Sequence, residues 1–301
     1  MTAIRSPFFY VGDKYKLVEQ LLPLFPEKVD KYVEPFLGGG SVLLNYVGAN
    51  KYFASDIDDR IIGLHRKFHS YKDYQDLLQD LAKYVDLYGL TFSANGVDVP
   101  KKLLADFPKT YFAKLNETAY NRMKSDYNES RDRDPLQLFL LVIYGFNRMW
   151  RFNSKGFFNI PVGNVDFNGN VVTALKNYIE SLGKRKVKFE SGDFEKQIDK
   201  LQLGSNDFVY LDPPYLITGS EYNKIWDDTK EIELLNLLNK LNEMNVKFAL
   251  SNVTDYKGKA NSHLKKWMAN YSVHDLKSNY INYFDNGIKS SREVLVTNYD
   301  K

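Results

Sequence analysis

The sequence predicts an α/β fold in which a mostly parallel, twisted sheet is flanked by helices and interrupted by a small helical insertion. Residues 31–34 and 51–58 have the pattern of two strands joined through a glycine-rich turn and a helix, which is a βαβ unit. The alternation of strands and helices returns after Gly163. Residues 60–144, between these two parts, carry apolar side chains at helical spacing and many charges. An inserted domain therefore splits one α/β domain.

The spacing of apolar residues also predicts the individual elements. The predicted helices cover 60–87, 108–123, 135–144, 171–182, 231–242 and 263–270. The predicted strands cover 186–194, 208–212 and 247–252, and segments 272–278 and 292–299 predict an antiparallel hairpin that closes the chain. Alternating residues over 147–163 predict a β-hairpin within the insertion. We assign 1–60 and 166–301 to the α/β domain and 61–165 to the inserted domain.

The composition is that of an ordinary globular protein with a mild positive charge. The 301 residues are 44% hydrophobic and carry a net charge of +3, which suits a nucleic-acid partner and equally an ordinary soluble enzyme. The absence of cysteine excludes disulfides, thiolate zinc sites and cysteine nucleophiles, and the four histidines lack a metal-binding spacing, so no metal is expected. The apolar stretch at 136–146 is shorter than the roughly 20 residues that span a bilayer. We therefore expect a cytoplasmic protein with no membrane partner.

The sequence Asp212-Pro213-Pro214-Tyr215 directly follows an apolar strand, where ligands bind in open α/β sheets. The prolines fix the backbone without amide hydrogens, so the Asp212 carboxylate and the Pro213 carbonyl form a pair of acceptors. Such a pair suits both hydrogens of an amino group on a planar ring, and Tyr215 offers a face on which that ring stacks. The amino lone pair is then directed toward an electrophile such as a sulfonium methyl, and positioning and electrostatics promote the transfer. The alternative is a purely structural Pro-Pro turn.

A second candidate site lies in the first βαβ unit, in the turn EPFLGGG at 34–40. Its glycines allow a ligand to approach the backbone closely, and the amino terminus of the next helix favours an anionic group. Asp56 ends the next strand, where an acidic residue binds ribose hydroxyls in nucleotide-binding βαβ units. The glycine spacing differs from the GxGxxG dinucleotide pattern. The alternative for Asp56 is a solvated acid beside Asp58 and Asp59.

Five motifs occur in a characteristic order: YVGDK at 10–14, EPFLGGGSV at 34–42, SDID at 55–58 and, after a long insertion, GDF at 192–194 and DPPY at 212–215. In this order the chain resembles the alpha-group N6-adenine DNA methyltransferases, the Dam family, over nearly its whole length. The resemblance implies a Rossmann-like sheet that binds S-adenosylmethionine and methylates a flipped adenine in a short duplex sequence, with S-adenosylhomocysteine as product. It places Asp212, Pro213, Pro214 and Tyr215 around the target base. It places around the cofactor Tyr10, Lys14, Phe36, Gly38, Gly40, Asp56, Asp193 and Phe194, with Phe194 near the cofactor's adenine. Without the resemblance, Lys14 is more simply interpreted as a surface charge.

In the same resemblance, 61–165 corresponds to the target-recognition domain, and 147–163 to a DNA-reading hairpin with the pattern N-x-x-x-R-x-N-x-x-G-x-F-N-x-P. Arginine is well matched to guanine O6 and N7, so a positively charged turn could enter a DNA groove. Arg151 would be the chief base reader. The other candidate DNA contacts are Asn147, Arg148, Met149, Asn153 and Lys155. The alternative is a hairpin whose charges are solvated.

Two departures from the family pattern bear on the target sequence. Many Dam-type members have Lys at the position of Phe9 and an Arg-aromatic pair where this chain has Asn164-Val165, and those residues help to read the outer guanine of GATC. GATC is therefore a candidate target, and other short sites stay open. A cognate restriction endonuclease that acts separately is a candidate partner, and the sequence leaves its existence open.

Related chemistry leaves other substrates open, namely an RNA base or a protein glutamine in place of adenine in duplex DNA. Of these substrates, the Arg-bearing hairpin favours duplex DNA. A DNA-binding protein that has kept the fold and lost catalysis is an alternative from another class. An enzyme that modifies a base within duplex DNA must flip it out of the stack. The loop 216–229 follows DPPY and carries Tyr222 and Trp226, so it is the expected lid over the flipped base.

Overall fold

A computed structural model describes residues 3–97, 99–218, 226–277 and 291–300. The strands are β1 (Val29–Glu34), β2 (Ala49–Asp56), β3 (Val187–Ser191), β4 (Phe208–Leu211), β5 (Lys247–Tyr256), β6 (Lys259–Ala260), β7 (Ser272–Leu276) and β8 (Ser291–Thr297). The helices are α1 (Val18–Leu21), α2 (Ser41–Asn45), α3 (Asp59–His69), α4 (Tyr74–Tyr88), α5 (Lys101–Asp106), α6 (Tyr111–Glu129), α7 (Pro135–Tyr144), α8 (Gly169–Leu182), α9 (Phe194–Asp199), α10 (Asp228–Glu243) and α11 (Ser262–Trp267). Among these helices, none is both long and apolar enough to cross a membrane.

The chain divides into two compact units, which we call the sheet unit and the helical unit. The sheet unit comprises Lys14–Leu37, Asn45–Asp59 and Arg185–Lys301. The helical unit comprises Met1–Asp13, Gly38–Leu44 and Arg60–Lys184. These are units of packing rather than of function, so the assignment of 61–165 to target recognition stays a prediction.

The sheet confirms the predicted α/β fold. Its strand order is β3-β2-β1-β4-β5-β8-β7, with β6 paired to β5 outside this path. The first five strands in this order pair in parallel, and β8 and β7 add the predicted antiparallel carboxyl-terminal hairpin. The chain runs outward from β1 to β3 and then returns to the other side of β1 as β4, where Val33 pairs with Val209. This reversal is a topological switch point, and ligands of such sheets bind beside it at the carboxyl ends of the strands.

The centre of the sheet is apolar because helices cover its parallel strands. All four residues of β4 are buried, and β5 is buried over most of its length. Helix α10 contributes Leu234, Leu235 and Leu238 to the core under these strands. The turn that follows β4 is therefore attached to a rigid, buried strand.

The helical unit is built around α7, whose predicted and observed bounds are the same. The carboxylate of Asp134 accepts a hydrogen bond from the backbone N–H of Leu136 at 2.7 Å, and Pro135 occupies the first helical turn. Every residue of α7 after Pro135 is buried. An apolar helix with a defined start therefore forms the core of this unit.

A buried histidine connects the core of the helical unit to the glycine-rich turn. His65 lies with Nδ1 2.8 Å from the Tyr178 hydroxyl and Nε2 2.9 Å from the Gly38 carbonyl oxygen. Burial lowers the pKa of His65 to about 4, so the ring is neutral at pH 7. A neutral ring that accepts from Tyr178 donates its Nε2 hydrogen to Gly38, which fixes the first glycine of the turn.

One element boundary differs from the prediction in a way that affects the candidate site. The predicted strand 186–194 ends at Ser191, and Asp193 and Phe194 instead begin α9. Gly192 has φ +145°, and the Asp193 carboxylate caps the helix by accepting from the N–H groups of Glu195 and Lys196.

Candidate active site

The turn that follows β4 carries a buried ion pair. Asp212 lies directly after Leu211, the last residue of β4, and its Oδ2 is 2.7 Å from Nζ of Lys14. The side chain of Lys14 is only 7% exposed, so its interpretation as a surface charge is wrong. The sheet unit therefore brings together two predicted site residues that lie far apart in the sequence.

The tyrosine of the same turn links Asp212 to a second carboxylate. The Tyr215 hydroxyl lies 3.1 Å from Oδ1 of Asp212 and 2.8 Å from Oε1 of Glu293. Glu293 belongs to β8 and is 2% exposed. Nζ of Lys14 also lies 5.1 Å from the centre of the Tyr215 ring, within the range of a cation–π contact. The Tyr215 side chain thus has two carboxylates at its hydroxyl group and one cation, that of Lys14, near its ring.

The protonation of Asp212 depends on opposing effects. Burial raises the pKa of Asp212 above its usual value, and the negative charge of Glu293 raises it further. The charge and hydrogen bond of Lys14 lower this pKa, and the Tyr215 hydroxyl lowers it too whenever its one hydrogen is donated to Asp212. The net effect is a raised pKa of Asp212, and Lys14 is the main group that opposes this rise and favours the ionised carboxylate.

The geometry of this turn suits an amino group on a planar ring. The two prolines that follow Asp212 have no N–H, so the backbone presents acceptors only. The side chain of Asp212 remains 18% exposed, which leaves part of the carboxylate open to a ligand. Carboxylate and carbonyl oxygens together can accept both hydrogens of one amino group.

The carboxyl ends of β1 and β2 hold an aromatic cluster and a carboxylate. The rings of Phe36, Phe194 and Trp226 pack with centroids 5.1 to 5.8 Å apart. Asp56 ends β2, and its Oδ1 accepts from the backbone N–H of Asp58 at 3.0 Å. Aromatic rings next to a carboxylate can bind a nucleoside, through stacking and through hydrogen bonds to ribose.

Asp193 and Phe194 have structural contacts of their own. Oδ2 of Asp193 lies 3.3 Å from Nζ of Lys230, in addition to its role as the cap of α9. Phe194 is 4% exposed, so most of its ring is covered within the sheet unit. A cofactor role for these two residues stays a prediction.

The residues of the expected lid differ in what the structure says of them. Tyr222 lies outside the described residues. Trp226 is buried, and its Nε1 donates to Oε2 of Glu231 at 2.8 Å. Trp226 is thus fixed in the core of the sheet unit.

In the helical unit, Tyr10 packs directly against the glycine-rich turn. Gly38 and Gly40 have φ values of +46° and +71°, which glycine adopts without strain. A Cβ atom at Gly38 would lie 3.0 Å from the Tyr10 ring, and one at Gly39 would lie 2.8 Å from Cβ of Tyr10. The structure therefore brings three predicted cofactor residues together: Tyr10, Gly38 and Gly40.

The predicted recognition hairpin forms only in part. Two isolated antiparallel bridges, Gly145 to Val162 and Phe152 to Phe158, replace a continuous ladder. The chain reverses at Asn153, whose Oδ1 accepts from the N–H groups of Lys155 and Phe157 at 2.9 and 3.0 Å. Both Asn147 and Arg148 have φ +53°, a conformation that interrupts a strand. The segment 145–163 is therefore a folded loop with one bridge at its base and a second bridge next to its turn.

The predicted DNA-reading side chains have different surroundings. Arg151 is oriented by Asn159, which accepts from Nε at 3.0 Å and from Nη2 at 3.2 Å. The guanidinium of Arg148 lies 3.8 Å from the centre of the Phe9 ring, and burial lowers its pKa to about 10. Lys155 is exposed at the turn, and Met149 is half-buried.

Asn164 is part of the framework of the helical unit. Its Oδ1 accepts from the N–H groups of Phe112 and Ala113 in the first turn of α6, and its Nδ2 donates to the Lys109 carbonyl. These bonds occupy the side chain of Asn164, which therefore has a capping role at the start of α6.

Sequence reasoning missed Glu293. Its signal was a single carboxylate directly before the apolar run VLV of the strand SREVLVT, which is unusual because ionised groups are rarely buried without a partner. The partner of Glu293 could not be found from the sequence, because Tyr215 is far away along the chain.

The chain is similar to known DNA methyltransferases. A family model described as D12 class N6 adenine-specific DNA methyltransferase matches residues 10–281. The chain is 37% identical to modification methylase StsI of Streptococcus sanguinis over 99% of this chain and 43% of that protein. It is 35% identical to type II methyltransferase M.FokI of Planomicrobium okeanokoites over 98% of this chain and 43% of that protein. For type II methyltransferase M1.LlaDCHI of Lactococcus lactis subsp. cremoris, the identity is 27% over 96% of this chain and 94% of that protein. The chain thus spans less than half the length of the first two relatives.

The ion pair can be tested without any assay of activity. Lys14→Met keeps a side chain of similar length but leaves a buried, unpaired carboxylate, which should lower the free energy of unfolding by roughly 3 kcal/mol. Combining Lys14→Met with Asp212→Asn replaces both charges by neutral groups and should restore most of this loss. Urea unfolding at pH 7 measures the free energy of unfolding of the wild type, the two single variants and the double variant.

The control variant is Lys83→Met, at a lysine that is 69% exposed on α4. We expect it to change the free energy of unfolding by no more than about 0.5 kcal/mol. A double variant that is as unstable as Lys14→Met, or less stable, would contradict the pairing.

Proposed function

The chain belongs to the D12 class N6 adenine-specific DNA methyltransferase family, and from this membership we propose that it transfers a methyl group to the exocyclic N6 of adenine in a short duplex DNA sequence. We further propose S-adenosylmethionine as the methyl donor. The observation that supports the proposal most directly is the ion pair of Asp212 with Lys14 at the carboxyl end of β4. It keeps an acceptor ionised in the turn where ligands of this fold bind.

The residues of this turn act on the target base by positioning it. The N6 lone pair of adenine is delocalised into the ring, which makes the amino group a weak nucleophile. The Asp212 carboxylate and the Pro213 carbonyl accept the two amino hydrogens and turn the lone pair toward the methyl donor. Tyr215 provides the stacking face, and Pro214 stiffens the turn. Such pre-arranged electrostatics and orientation supply most of the rate in this scheme.

Each unit, taken by itself, contains predicted cofactor residues whose chemistry suits a part of S-adenosylmethionine. When bound, it supplies an electrophilic methyl group on a sulfonium. In the sheet unit, Asp56 is a partly exposed carboxylate suited to ribose hydroxyls, and Phe36 lies in the aromatic cluster with Phe194. Lys14 and Asp193, also predicted contacts, carry further charges in this unit. In the helical unit, Tyr10 lies directly against the backbone of the turn that contains Gly38 and Gly40.

We assign DNA reading to the segment 147–163 of the helical unit. Arg151 presents a fork of N–H groups whose orientation Asn159 sets, and a guanidinium held in this way suits guanine O6 and N7. Lys155 is exposed on the turn and suits a phosphate. Asn147, Arg148, Met149 and Asn153 are the remaining proposed contacts, of which Asn153 also shapes the turn.

The target sequence is the finer part of the proposal. GATC is the first candidate from the resemblance to Dam, although Phe9 and the capping role of Asn164 change the positions that help to read its outer guanine. Relatives of this chain carry the names of modification methylases and type II methyltransferases. We accordingly propose a role in restriction-modification beside a separate endonuclease, in the cytoplasm.

Transfer of radiolabel tests the proposed reaction. With tritiated S-adenosylmethionine and unmethylated plasmid DNA, the wild-type protein should place label in N6-methyladenine. Asp212→Ala removes the carboxylate acceptor and should reduce the transfer by at least about 100-fold. Digestion with enzymes that differ in their sensitivity to adenine methylation at GATC, followed by sequencing that detects methyladenine, identifies the target.

Each result of this assay has a defined meaning. If label enters DNA but GATC sites are not protected, the proposed reaction stands and GATC is not the target sequence. Label in RNA or protein but not in DNA overturns the DNA assignment. A wild-type protein that binds DNA and transfers no label to any acceptor would be a DNA-binding protein without catalysis.

A second prediction concerns the reading of DNA by Arg151. Arg151→Ala and Arg151→Lys should both reduce discrimination at one base pair of the target by roughly 10-fold or more, because neither side chain has the guanidinium fork. Lys155→Ala should instead weaken binding to all sequences about equally and reduce the salt dependence of binding. Competition binding with single-base variants of the mapped target measures both effects.

The control is Lys83→Ala, at the exposed lysine on α4. It should change neither discrimination nor affinity appreciably. If Arg151→Ala weakened binding to all sequences equally, Arg151 would contact the DNA backbone and would not be a base reader.

A further inference from the structure

Glu293 is a carboxylate buried in the sheet unit next to the proposed base-binding turn. It is 2% exposed on β8, where it pairs with Val253 of β5 and Leu276 of β7. The next three residues of the strand, Val294, Leu295 and Val296, are fully buried. A carboxylate in such surroundings is unfavourable unless it accepts hydrogen bonds. Its Oε1 lies 2.8 Å from the Tyr215 hydroxyl.

The Tyr215 hydroxyl has one hydrogen and lies near two carboxylates. Its oxygen is closer to Oε1 of Glu293, at 2.8 Å, than to Oδ1 of Asp212, at 3.1 Å. Lys14 already donates to Asp212 through Oδ2, which lowers the demand of that carboxylate for a further donor. The hydroxyl hydrogen is therefore directed mainly to Glu293.

The ring of Tyr215 is also held from the side. Tyr215 packs in a small apolar cluster with Val253 and Tyr256 of β5, against which Ile217 also lies. Apolar packing limits the plane of the ring, and the hydrogen bond to Glu293 fixes its outer end. A side chain fixed in both ways has one orientation, which a stacking platform requires.

We propose that Glu293 is a positioning residue for methyl transfer: it draws the hydroxyl hydrogen of Tyr215 away from Asp212 and fixes the Tyr215 ring. Oδ1 of Asp212 is then available to accept a hydrogen of the amino group of the base. Without Glu293, the hydroxyl donates to Asp212 and competes with the base for the same oxygen. This inference rests on the proposed function and adds to it a residue on a different strand from the DPPY turn.

The test is a double-mutant cycle on single-turnover methyl transfer. Glu293→Gln keeps the shape of the side chain and removes its charge, and Tyr215→Phe keeps the ring and removes the hydroxyl. Each should lower the single-turnover rate about 10-fold and leave KM for DNA within about twofold, because positioning acts in the transition state. The double variant should be no slower than the slower single variant, since both substitutions act on the same interaction, which Glu293→Gln weakens and Tyr215→Phe removes.

The matched control is Glu243→Gln, an exposed glutamate at the end of α10 in the same unit. Its rate should equal that of the wild type. Thermal unfolding and cofactor binding are measured for every variant. If Glu293→Gln does not fold, Tyr215→Phe still reports on the same bond from the other side, and a wild-type rate in Tyr215→Phe overturns the inference.

The other outcomes separate the inference from the proposed function. An active wild type with an unchanged Glu293→Gln rate overturns the inference and leaves the function in place. Multiplying effects in the double variant show that Glu293 does not act through Tyr215 and also overturn it. An increase in KM without a change in rate does the same. A wild-type protein that transfers no methyl group overturns the proposed function and the positioning role with it.

Discussion

The ion pair between Lys14 and Asp212 is the interaction on which the rest of the site depends. A carboxylate at the end of a buried strand, beside a second carboxylate, tends to take up a proton, and a protonated Asp212 is a poorer acceptor for an amino group. Lys14 opposes this effect from 2.7 Å. The Asp212 carboxylate, the Tyr215 hydroxyl and the Glu293 carboxylate therefore form one coupled group. A change in the charge of either carboxylate changes the hydrogen bonding of the hydroxyl.

The fold explains why this group forms at this place. The order of the strands reverses between β1 and β4, so the carboxyl ends of these two strands carry the turns that follow Glu34 and Leu211. The neighbouring strand β5 and the antiparallel β8 bring Val253 and Glu293 to Tyr215. A rigid, buried sheet thus holds the polar groups in fixed positions, as catalysis by positioning requires.

The sequence predicted the elements that depend on local patterns. Helix α7 has its predicted bounds because an aspartate cap and a proline define its start and an apolar run defines its length. The DPPY turn was recognised because a polar motif after an apolar strand has a known place in this fold. The sequence does not identify which distant residues will be in contact, which is why Lys14 was open to interpretation as a surface charge and Glu293 was missed. The recognition segment was predicted as a hairpin from alternation and from the resemblance to the family's DNA-reading hairpin, and the positive φ values of Asn147 and Arg148 break the ladder.

The pH dependence of single-turnover methyl transfer by Lys14→Met and wild-type protein, both saturated with DNA and S-adenosylmethionine, tests the central claim most directly. Lys14, Tyr215, Glu293 and Tyr210 interact with Asp212, and of these four groups Lys14 is the cation. Removing it raises the pKa of Asp212, so the rate should be lost on the acidic side at a pH higher than in the wild type by about one unit or more. Acidic limbs that coincide in the two proteins would show that Lys14 does not keep Asp212 ionised and would contradict the account.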